Sequence, residues 1–226
     1  EFCTARFRAI ESAAPFLRDA VPVDEPYART STPVLNEAVV GDDWIRVGDA
    51  AMAVDPLSGN GIFQALSSAL QAPAVIATLR HDQSRAALAQ RFHQQRIEHL
   101  FYRFARIGRD FYAQETRWMQ ASFWAARRGW PDAAPMHSVV RPDTVSIGRG
   151  PVVHEGRIVE EEVVITPDQP LGVWHLDGLP LAPLLRTVKE AGAEVAAEGV
   201  LQRDAGLTAA TAARIAGWMR TQGWIF

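Results

Sequence analysis

The residues best suited to chemistry lie in a single run, residues 44–70, in which a Gly-Asp pair is followed by Pro56 and then by a Gly-Asn-Gly sequence. Glycine allows positive φ and lets the backbone approach a ligand closely. The start of a helix offers unpaired N–H groups and a positive partial charge, and the Asp49 carboxylate can accept hydrogen bonds from hydroxyl groups. The run therefore predicts a site for a ligand that has a polyhydroxyl chain and an electron-rich edge.

The elements around this run have to position it. The pattern predicts a short apolar strand at residues 44–47 that leads into Gly48, and a helix from Gly61 to about residue 79, with a possible bend at Pro73. Residues 84–128 have helical spacing and nine arginines against three acidic residues. Their interleaved aromatic residues predict a buried apolar stripe, formed by Phe92, Leu100, Phe101, Phe104, Ile107, Phe111, Trp118 and Phe123.

The flanking regions have different patterns. Residues 4–20 predict one helix ended by Pro22 and Pro26, and residues 27–35 an extended segment. Beyond residue 140 we expect short strands separated by glycine turns, then helices; the strands are expected at 145–147, 152–153 and 158–165, and the helices at 179–191, 195–206 and 209–223.

The sequence GDAAMAVDPLSGNGIFQAL resembles the second FAD-binding motif of the aromatic-hydroxylase-type flavoprotein monooxygenases. That superfamily includes flavin-dependent halogenases. Within it, the sequence is most similar to flavoproteins that mature protein-derived quinone cofactors. These include the LodB-like proteins and the peptidyl-tryptophan dihydroxylase of quinohemoprotein amine dehydrogenase maturation. The resemblance covers roughly residues 27–130 and implies FAD as the cofactor.

Carried over position by position, the resemblance implies that Asp49 binds the ribityl chain of the flavin and that Gly48 sets the turn. Pro56 would lie beside the isoalloxazine ring. Four consecutive residues would bring backbone N–H groups to the N1/O2 edge of that ring: Gly59, Asn60, Gly61 and Ile62.

The superfamily also has an N-terminal G-x-G-x-x-G fingerprint that holds the ADP diphosphate, and this chain has no such sequence. We therefore expect the chain to be the C-terminal part of the protein and to need its N-terminal portion for tight FAD binding and for activity. Halogenases need a lysine upstream of the motif, whereas the single lysine here, Lys189, is expected to be a solvated helix residue.

Composition excludes several classes of protein. The apolar stretches are shorter than the roughly 20 residues of a membrane span, and the N-terminus lacks the apolar core of a signal peptide. One cysteine, Cys3, excludes a disulfide framework, and no histidine pair has metal-ligand spacing, so no metal is expected. These features and the preference for arginine over lysine predict a bacterial, cytoplasmic protein.

The predicted fold is α/β, the C-terminal part of a Rossmann-like FAD-binding monooxygenase fold, with a small α+β domain of winged-helix character. The expected domains are 1–36, the end of a substrate domain; 37–140, the flavin part; and 141–226, the accessory domain. The helix cap at Leu207-Thr208 and the ending GWMRTQGWIF carry the winged-helix likeness. Residues from 151 onward carry six basic and ten acidic side chains, which argues against DNA as a partner.

These features predict part of an FAD-dependent monooxygenase that hydroxylates an indole, in particular a peptidyl tryptophan during biogenesis of a tryptophylquinone cofactor. Its partners would be the protein that bears this tryptophan and other maturation proteins, with no nucleic acid and no membrane. One alternative is a flavin-dependent halogenase or a small-molecule aromatic hydroxylase. Another is a non-catalytic module, derived from a flavoprotein, that binds a partner or DNA.

Overall fold

The computed structural model describes residues 2–21, 23–24, 27, 30–192 and 194–226, and the chain divides into two compact units, residues 1–31 and 32–226. The helices are α1 (Phe2–Arg8), α2 (Ala14–Leu17), α3 (Gly61–His81), α4 (Ala86–Ala113), α5 (Ser122–Gly129), α6 (Leu181–Ala191), α7 (Ala197–Arg203) and α8 (Ala209–Thr221). The strands are β1 (Val34–Leu35), β2 (Met52–Ala53), β3 (Ser146–His154), β4 (Arg157–Ile165), β5 (His175–Leu176) and β6 (Leu179–Pro180).

The first unit contains two short helices where the sequence predicts one. Residues 9–13 form turns between α1 and α2, and a proline stands at the start of α2. Pro15 has no N–H, and in a continuous helix its ring would clash with the carbonyl of Glu11, so the helix is interrupted there. Pro22 and Pro26, the expected end of this helix, lie outside the described residues.

The strand expected at residues 44–47 does not form. Only Ile45 pairs, in an isolated antiparallel bridge with Val40. The N–H of Arg46 donates to the carbonyl of Val39 at 2.8 Å, so this segment folds back on the residues just before it. In the described part of the chain no further strand lies beside it, and a strand needs such a neighbour to satisfy its backbone.

Helix α3 begins at Gly61 and contains Pro73, as predicted. The basic region forms α4 and α5, separated by residues 114–121. Phe101 and Phe104 of the predicted apolar stripe are buried. The stripe is not buried throughout. Helix α4 ends at Ala113, before Trp118 and Phe123, and Phe111 lies in its last turn. Three of its members are about half exposed: Phe111, Trp118 and Phe123.

Helix α3 is long and apolar enough to cross a bilayer by length and composition alone, which the sequence analysis did not anticipate. A single helix of this kind is weak evidence, because core helices meet the same criterion. Here its polar residues Ser68 and Thr78 are buried and hydrogen-bonded within the protein, to Gly48 and Ile158 respectively. The helix also carries five exposed large apolar side chains: Ile62, Phe63, Leu66, Leu70 and Ile76.

Strands β3 and β4 form one antiparallel hairpin with nine residue pairs. The prediction of two separate strands before residue 154 is wrong, because Gly148 and Gly150 lie inside β3. A Cβ at Gly148 would lie 2.6 Å from Cδ1 of Ile165 on the partner strand, so the close approach of a side chain explains this glycine. The actual turn is at Glu155 and Gly156, both with positive φ, as a two-residue hairpin requires.

The hairpin packs on α3. The N–H of Ile158 donates to Oγ1 of Thr78 at 2.8 Å, a buried bond, and Ile158 shares an apolar cluster with Val75 and Leu79. Residues 32–226 therefore form one compact unit, with the hairpin joined to the long helices. The domain boundaries at 36 and 140 stay predictions.

The C-terminal helices enclose a core of their own, with Leu185, Leu201, Ile215 and Trp224 buried in it. Thr208 caps α8, since its hydroxyl accepts the N–H of Thr211, which confirms the predicted cap. Residues 222–226 form no strand. The winged-helix likeness stays a prediction.

The single lysine has a more definite place than the sequence suggests. The Lys189 ammonium donates to the carbonyls of Pro142 at 3.2 Å and Val145 at 2.7 Å. It therefore joins α6 to the start of the hairpin. Lys189 is an exposed residue of α6, as expected, and its ammonium also contacts these two backbone carbonyls.

Candidate functional site

The Gly48-Asp49 pair lies against the first turns of α3. Gly48 is buried with φ of +55°, and its N–H donates to Oγ of Ser68 at 2.9 Å. A Cβ at Gly48 would lie 3.2 Å from Cβ of Ala65, so the close approach to α3 also favours glycine. Asp49 is exposed, and its carboxylate has no hydrogen-bond partner among the described residues. Its two oxygens are available to a ligand.

The loop before α3 is short and open on one side. Asp55 caps a single 3-10 turn, Pro56–Ser58, and Gly59 ends that turn with φ of +65°. No heavy atom lies within 4 Å of a Cβ built at Gly59 or at Gly61, so a ligand can approach the backbone here. Pro56 is exposed on the same loop.

The entrance of α3 has free donors at Gly61 and Ile62. The N–H of Gly59 already donates to the carbonyl of Pro56 at 3.1 Å, and that of Asn60 to Oγ of Ser58 at 3.4 Å. Asn60 occupies the N-cap position, but its side chain does not cap the helix and instead donates to the carbonyl of Ser58. The first N–H groups of an α-helix have no intrahelical acceptor, and Ile62 in this turn is 80% exposed. The seven residues predicted from the sequence therefore lie on one loop and on the turn that packs beside it.

The buried carboxylate of Asp55 holds the loop against helix α4. Oδ1 of Asp55 accepts the N–H of Leu57 at 2.9 Å, and Oδ2 accepts the hydroxyl of Tyr112 on α4, also at 2.9 Å. Asp55 is 6% exposed. A Cβ at Gly108 would lie 3.5 Å from the Cβ of Asp55, an ordinary van der Waals distance, so the loop lies close to α4 at this point. Burial, together with the Asp55 carboxylate, raises the pKa of Tyr112.

A cavity of about 330 Å³ opens beside this pair, between the loop, α4 and α5. Arg109 and Arg127 line it together with Trp130. The Arg127 guanidinium lies over the ring of Phe123, 3.7 Å from its centroid. Arg109 is held by the carbonyls of Asp132 and Ala134. The largely apolar wall and the few fixed polar groups suit a flat aromatic ligand.

Sequence reasoning did not assign roles to the residues that support the loop. Asp55 carried the one usable signal, since an Asp before a proline is typical of a capped turn. Ser68, Gly108 and Tyr112 carried none, because their partners are 20 to 57 positions away. Among the described residues, no cluster of three or more His, Cys, Asp or Glu could hold a metal ion.

Comparison with known proteins identifies this arrangement. The chain is 51% identical to the solved structure of QhpG, a peptidyl tryptophan dihydroxylase essential for tryptophylquinone cofactor biogenesis, with a TM-score of 0.80 over 98% of this chain. It is also 31% identical to a tryptophan 2-halogenase from Chondromyces crocatus. That match extends over 121 residues and covers 51% of this chain. The resemblance to the flavin-dependent hydroxylase and halogenase superfamily is therefore confirmed.

The crystal structure of CmlS, a flavin-dependent halogenase of this superfamily, has the same fold over 96% of the chain, with a TM-score of 0.60 and 16% identity. The chain spans 51% of QhpG and of CmlS, and 23% of the tryptophan 2-halogenase. No protein-family model matches the chain.

A flavin is the cofactor that this superfamily implies, and the site fits one. The exposed Asp49 carboxylate suits a hydroxylated chain. The uncapped entrance of α3 and the open space at Gly59 and Gly61 suit the electron-rich edge of the ring.

Proposed function

We propose that the chain is part of an FAD-dependent monooxygenase that hydroxylates a peptidyl tryptophan during the biogenesis of a tryptophylquinone cofactor. The observation that carries this proposal is the 51% identity to QhpG over 98% of the chain. Because the chain spans about half of that protein, activity, substrate and partners are tested on the intact protein.

The residues of the chain have distinct parts in this proposal. Bound FAD, once reduced, supplies the chemistry that activates O2. Asp49 accepts hydrogen bonds from the ribityl hydroxyls. Within the segment 59–62, the N–H groups of Gly61 and Ile62 stabilise negative charge at the edge of the ring, since those of Gly59 and Asn60 donate within the loop. Dipoles that are already oriented stabilise developing charge without reorganisation.

The cavity beside Asp55 is the place we propose for the target indole. Its lining residue Asp55 directly precedes Pro56, which would lie beside the flavin ring, and Trp130 and Tyr112 offer the indole aromatic contacts. Arg109 and Arg127 hold the wall of the cavity, so that water is excluded around the indole once it is bound.

The proposed reaction consumes one O2 and two electrons for each oxygen inserted. One oxygen atom replaces a C–H hydrogen of the indole with a hydroxyl, and the other leaves as water with two protons. The test incubates the intact, flavin-loaded protein with a reductant, O2 and the tryptophan-bearing substrate protein. Mass spectrometry should show a gain of one or two oxygen atoms on that tryptophan, and an unchanged mass would refute the proposal.

A halogenase is the second candidate, because the chain is 31% identical to a tryptophan 2-halogenase over 121 residues. The same incubation with added chloride separates the two activities. Chlorine in the product, with no added oxygen, would favour the halogenase. A small-molecule hydroxylase would act on free tryptophan or a phenol and leave the protein substrate unmodified.

The flavin site can be tested without turnover. Asn60→Asp places a carboxylate at the entrance of α3, where acidic caps are well tolerated by helices. We expect a more negative flavin reduction potential, because the added charge disfavours the reduced ring. Gln83→Glu adds the same charge after the far end of α3 and should leave the potential unchanged. Equal potentials in both variants and the wild type would contradict the placement of the flavin.

The remaining parts of the proposal concern the cellular location and the partners of the protein. We propose a bacterial, cytoplasmic protein whose partners are the protein bearing the target tryptophan and other maturation proteins. Cell fractionation and affinity purification of the intact protein test both points. Retention on DNA at physiological salt, without flavin absorbance, would favour a non-catalytic module instead.

A further inference from the structure

A second pocket lies on another part of residues 32–226, between α4 and the β3–β4 hairpin. Its volume is about 410 Å³. Three arginines line it, Arg91 and Arg96 from α4 and Arg149 from β3. Gly150 of β3 and Gly172 of the loop after β4 form part of the opposite wall. The pocket shares no lining residue with the cavity beside Asp55.

Arg96 is the unusual member of this group. Its Nε is buried and has no hydrogen-bond acceptor among the described residues. The only hydrogen bond that the Arg96 side chain makes there runs from Nη2 to Oγ of Ser67, at 3.3 Å, and none of the described carboxylates pairs with Arg96. A buried guanidinium is costly unless an anion or several acceptors compensate it.

The other two arginines are only partly neutralised. Glu160 is the carboxylate that serves both of them, 3.1 Å from Nε of Arg149 and 3.9 Å from Nη2 of Arg91. In the described part of the chain, these two guanidinium groups therefore share one carboxylate, and Arg96 has none. The charge of Arg96 also contributes, after burial, to the lowered pKa of the neighbouring His93. The potential in this pocket is therefore positive.

We propose that this pocket binds an anionic group with several oxygen acceptors, a phosphate or a carboxylate, held by Arg96 and Arg149. A guanidinium presents parallel N–H donors that match the oxygens of either group. Such an anion would compensate the excess positive charge of the three arginines. The pocket is larger than the anion, so the rest of the ligand has room beside Pro151 and Leu171.

The test uses calorimetric titration of the intact protein with inorganic phosphate and, separately, with succinate, both against chloride at matched ionic strength. Saturable binding of phosphate alone assigns a phosphate site, and saturable binding of succinate alone assigns a carboxylate site. Either result supports the proposal. Absence of saturable binding for both probes overturns it.

Variants locate the binding. Arg96→Gln should weaken binding about tenfold or more, because it removes a charge-assisted contact. Arg149→Gln changes an exposed side chain and should also weaken binding, which keeps the test valid if the first variant does not fold. Arg214→Gln on α8 removes the same charge elsewhere and should leave binding unchanged. Unchanged binding in both pocket variants, or an equal loss in the control, overturns the proposal.

Flavin content, measured by absorbance in every variant, separates this pocket from the flavin site. The proposal requires that Arg96→Gln and Arg149→Gln bind as much flavin as the wild type. A loss of flavin in parallel with the loss of phosphate or succinate binding would mean that the titrated anion occupies the flavin site, and would overturn the proposal.

Discussion

The hydroxyl of Tyr112 donates to Oδ2 of Asp55 at 2.9 Å and so joins the C-terminal end of the basic helix α4 to the loop that precedes α3. The other oxygen of Asp55 accepts the N–H of Leu57. One buried carboxylate therefore bonds both to the loop itself and to α4. The geometry of the proposed flavin loop therefore depends on a residue 57 positions away in the sequence.

Tyr112→Phe should destabilise the protein by roughly 1.5–3 kcal/mol, because the buried Asp55 carboxylate loses a hydrogen bond while the aromatic ring stays in place. Urea denaturation measures the change in the free energy of unfolding. Tyr102→Phe is the control, since the Tyr102 hydroxyl has no hydrogen bond among the described residues. Equal effects of the two substitutions would show that the bond to Asp55 contributes nothing.

Alanine at the two left-handed glycines of the site should destabilise the protein to different degrees. Gly59→Ala should cost about 1–2 kcal/mol, because φ is positive but space is open. Gly48→Ala should cost more, since its Cβ would also press on Ala65 at 3.2 Å. Gly217→Ala should instead stabilise the protein by about 0.5–1 kcal/mol, because Gly217 lies inside helix α8 and no atom lies within 4 Å of the added Cβ. Thermal or chemical denaturation measures all three, and the reverse order at 48 and 59 would contradict the packing described.

Thr78→Val should weaken the junction of α3 with the β3–β4 hairpin. The substitution keeps the shape but leaves the buried N–H of Ile158 without its acceptor, at a cost of about 1–3 kcal/mol in the free energy of unfolding. Hydrogen exchange should show faster exchange of the Ile158 amide. Thr78→Ser retains the hydroxyl and should preserve the protection of that amide. Equal protection in the valine variant would contradict the role of this bond.

Glu198→Gln tests the contact between α7 and α8. Arg220 donates to both oxygens of Glu198, at 2.6 and 2.8 Å, and this hydrogen-bonded pair lowers the pKa of Glu198 from 4.5 to about 2. A lowered pKa means that the stabilisation is present above pH 4.5 and is lost as the pH falls towards 2. Because the pair is partly exposed, we expect a loss of at most about 1 kcal/mol near neutral pH.

This pH dependence is measured by chemical denaturation of the wild type and Glu198→Gln at pH 7 and at pH 3. The difference between the two proteins should shrink at the lower pH. Glu190→Gln, an exposed change on α6, controls for the removal of one negative charge. A difference that stays constant between the two pH values would contradict the lowered pKa.

The sequence by itself determined the parts of this protein that depend on local patterns. The order of Gly48, Asp49, Pro56 and the Gly-Asn-Gly entrance predicted the turn, the loop and the start of α3, and the structure places the turn and helix there. Left-handed glycines and a helix start are encoded within a few residues, so they can be inferred without knowing what packs around them. The roles of these residues in flavin binding stay predictions.

Only the tertiary structure decided the contacts between distant elements. Pairing with β4 made one strand of residues 146–154, although its glycines suggested turns. The Asp55–Tyr112 bond and the Nε of Arg96, which has no acceptor among the described residues, likewise became visible only after α3, α4 and the hairpin had packed together. The physical reason is that burial and pairing are properties of the assembled fold. The sequence does not indicate whether water or a distant side chain is the hydrogen-bond partner of a carboxylate, a phenol or a guanidinium.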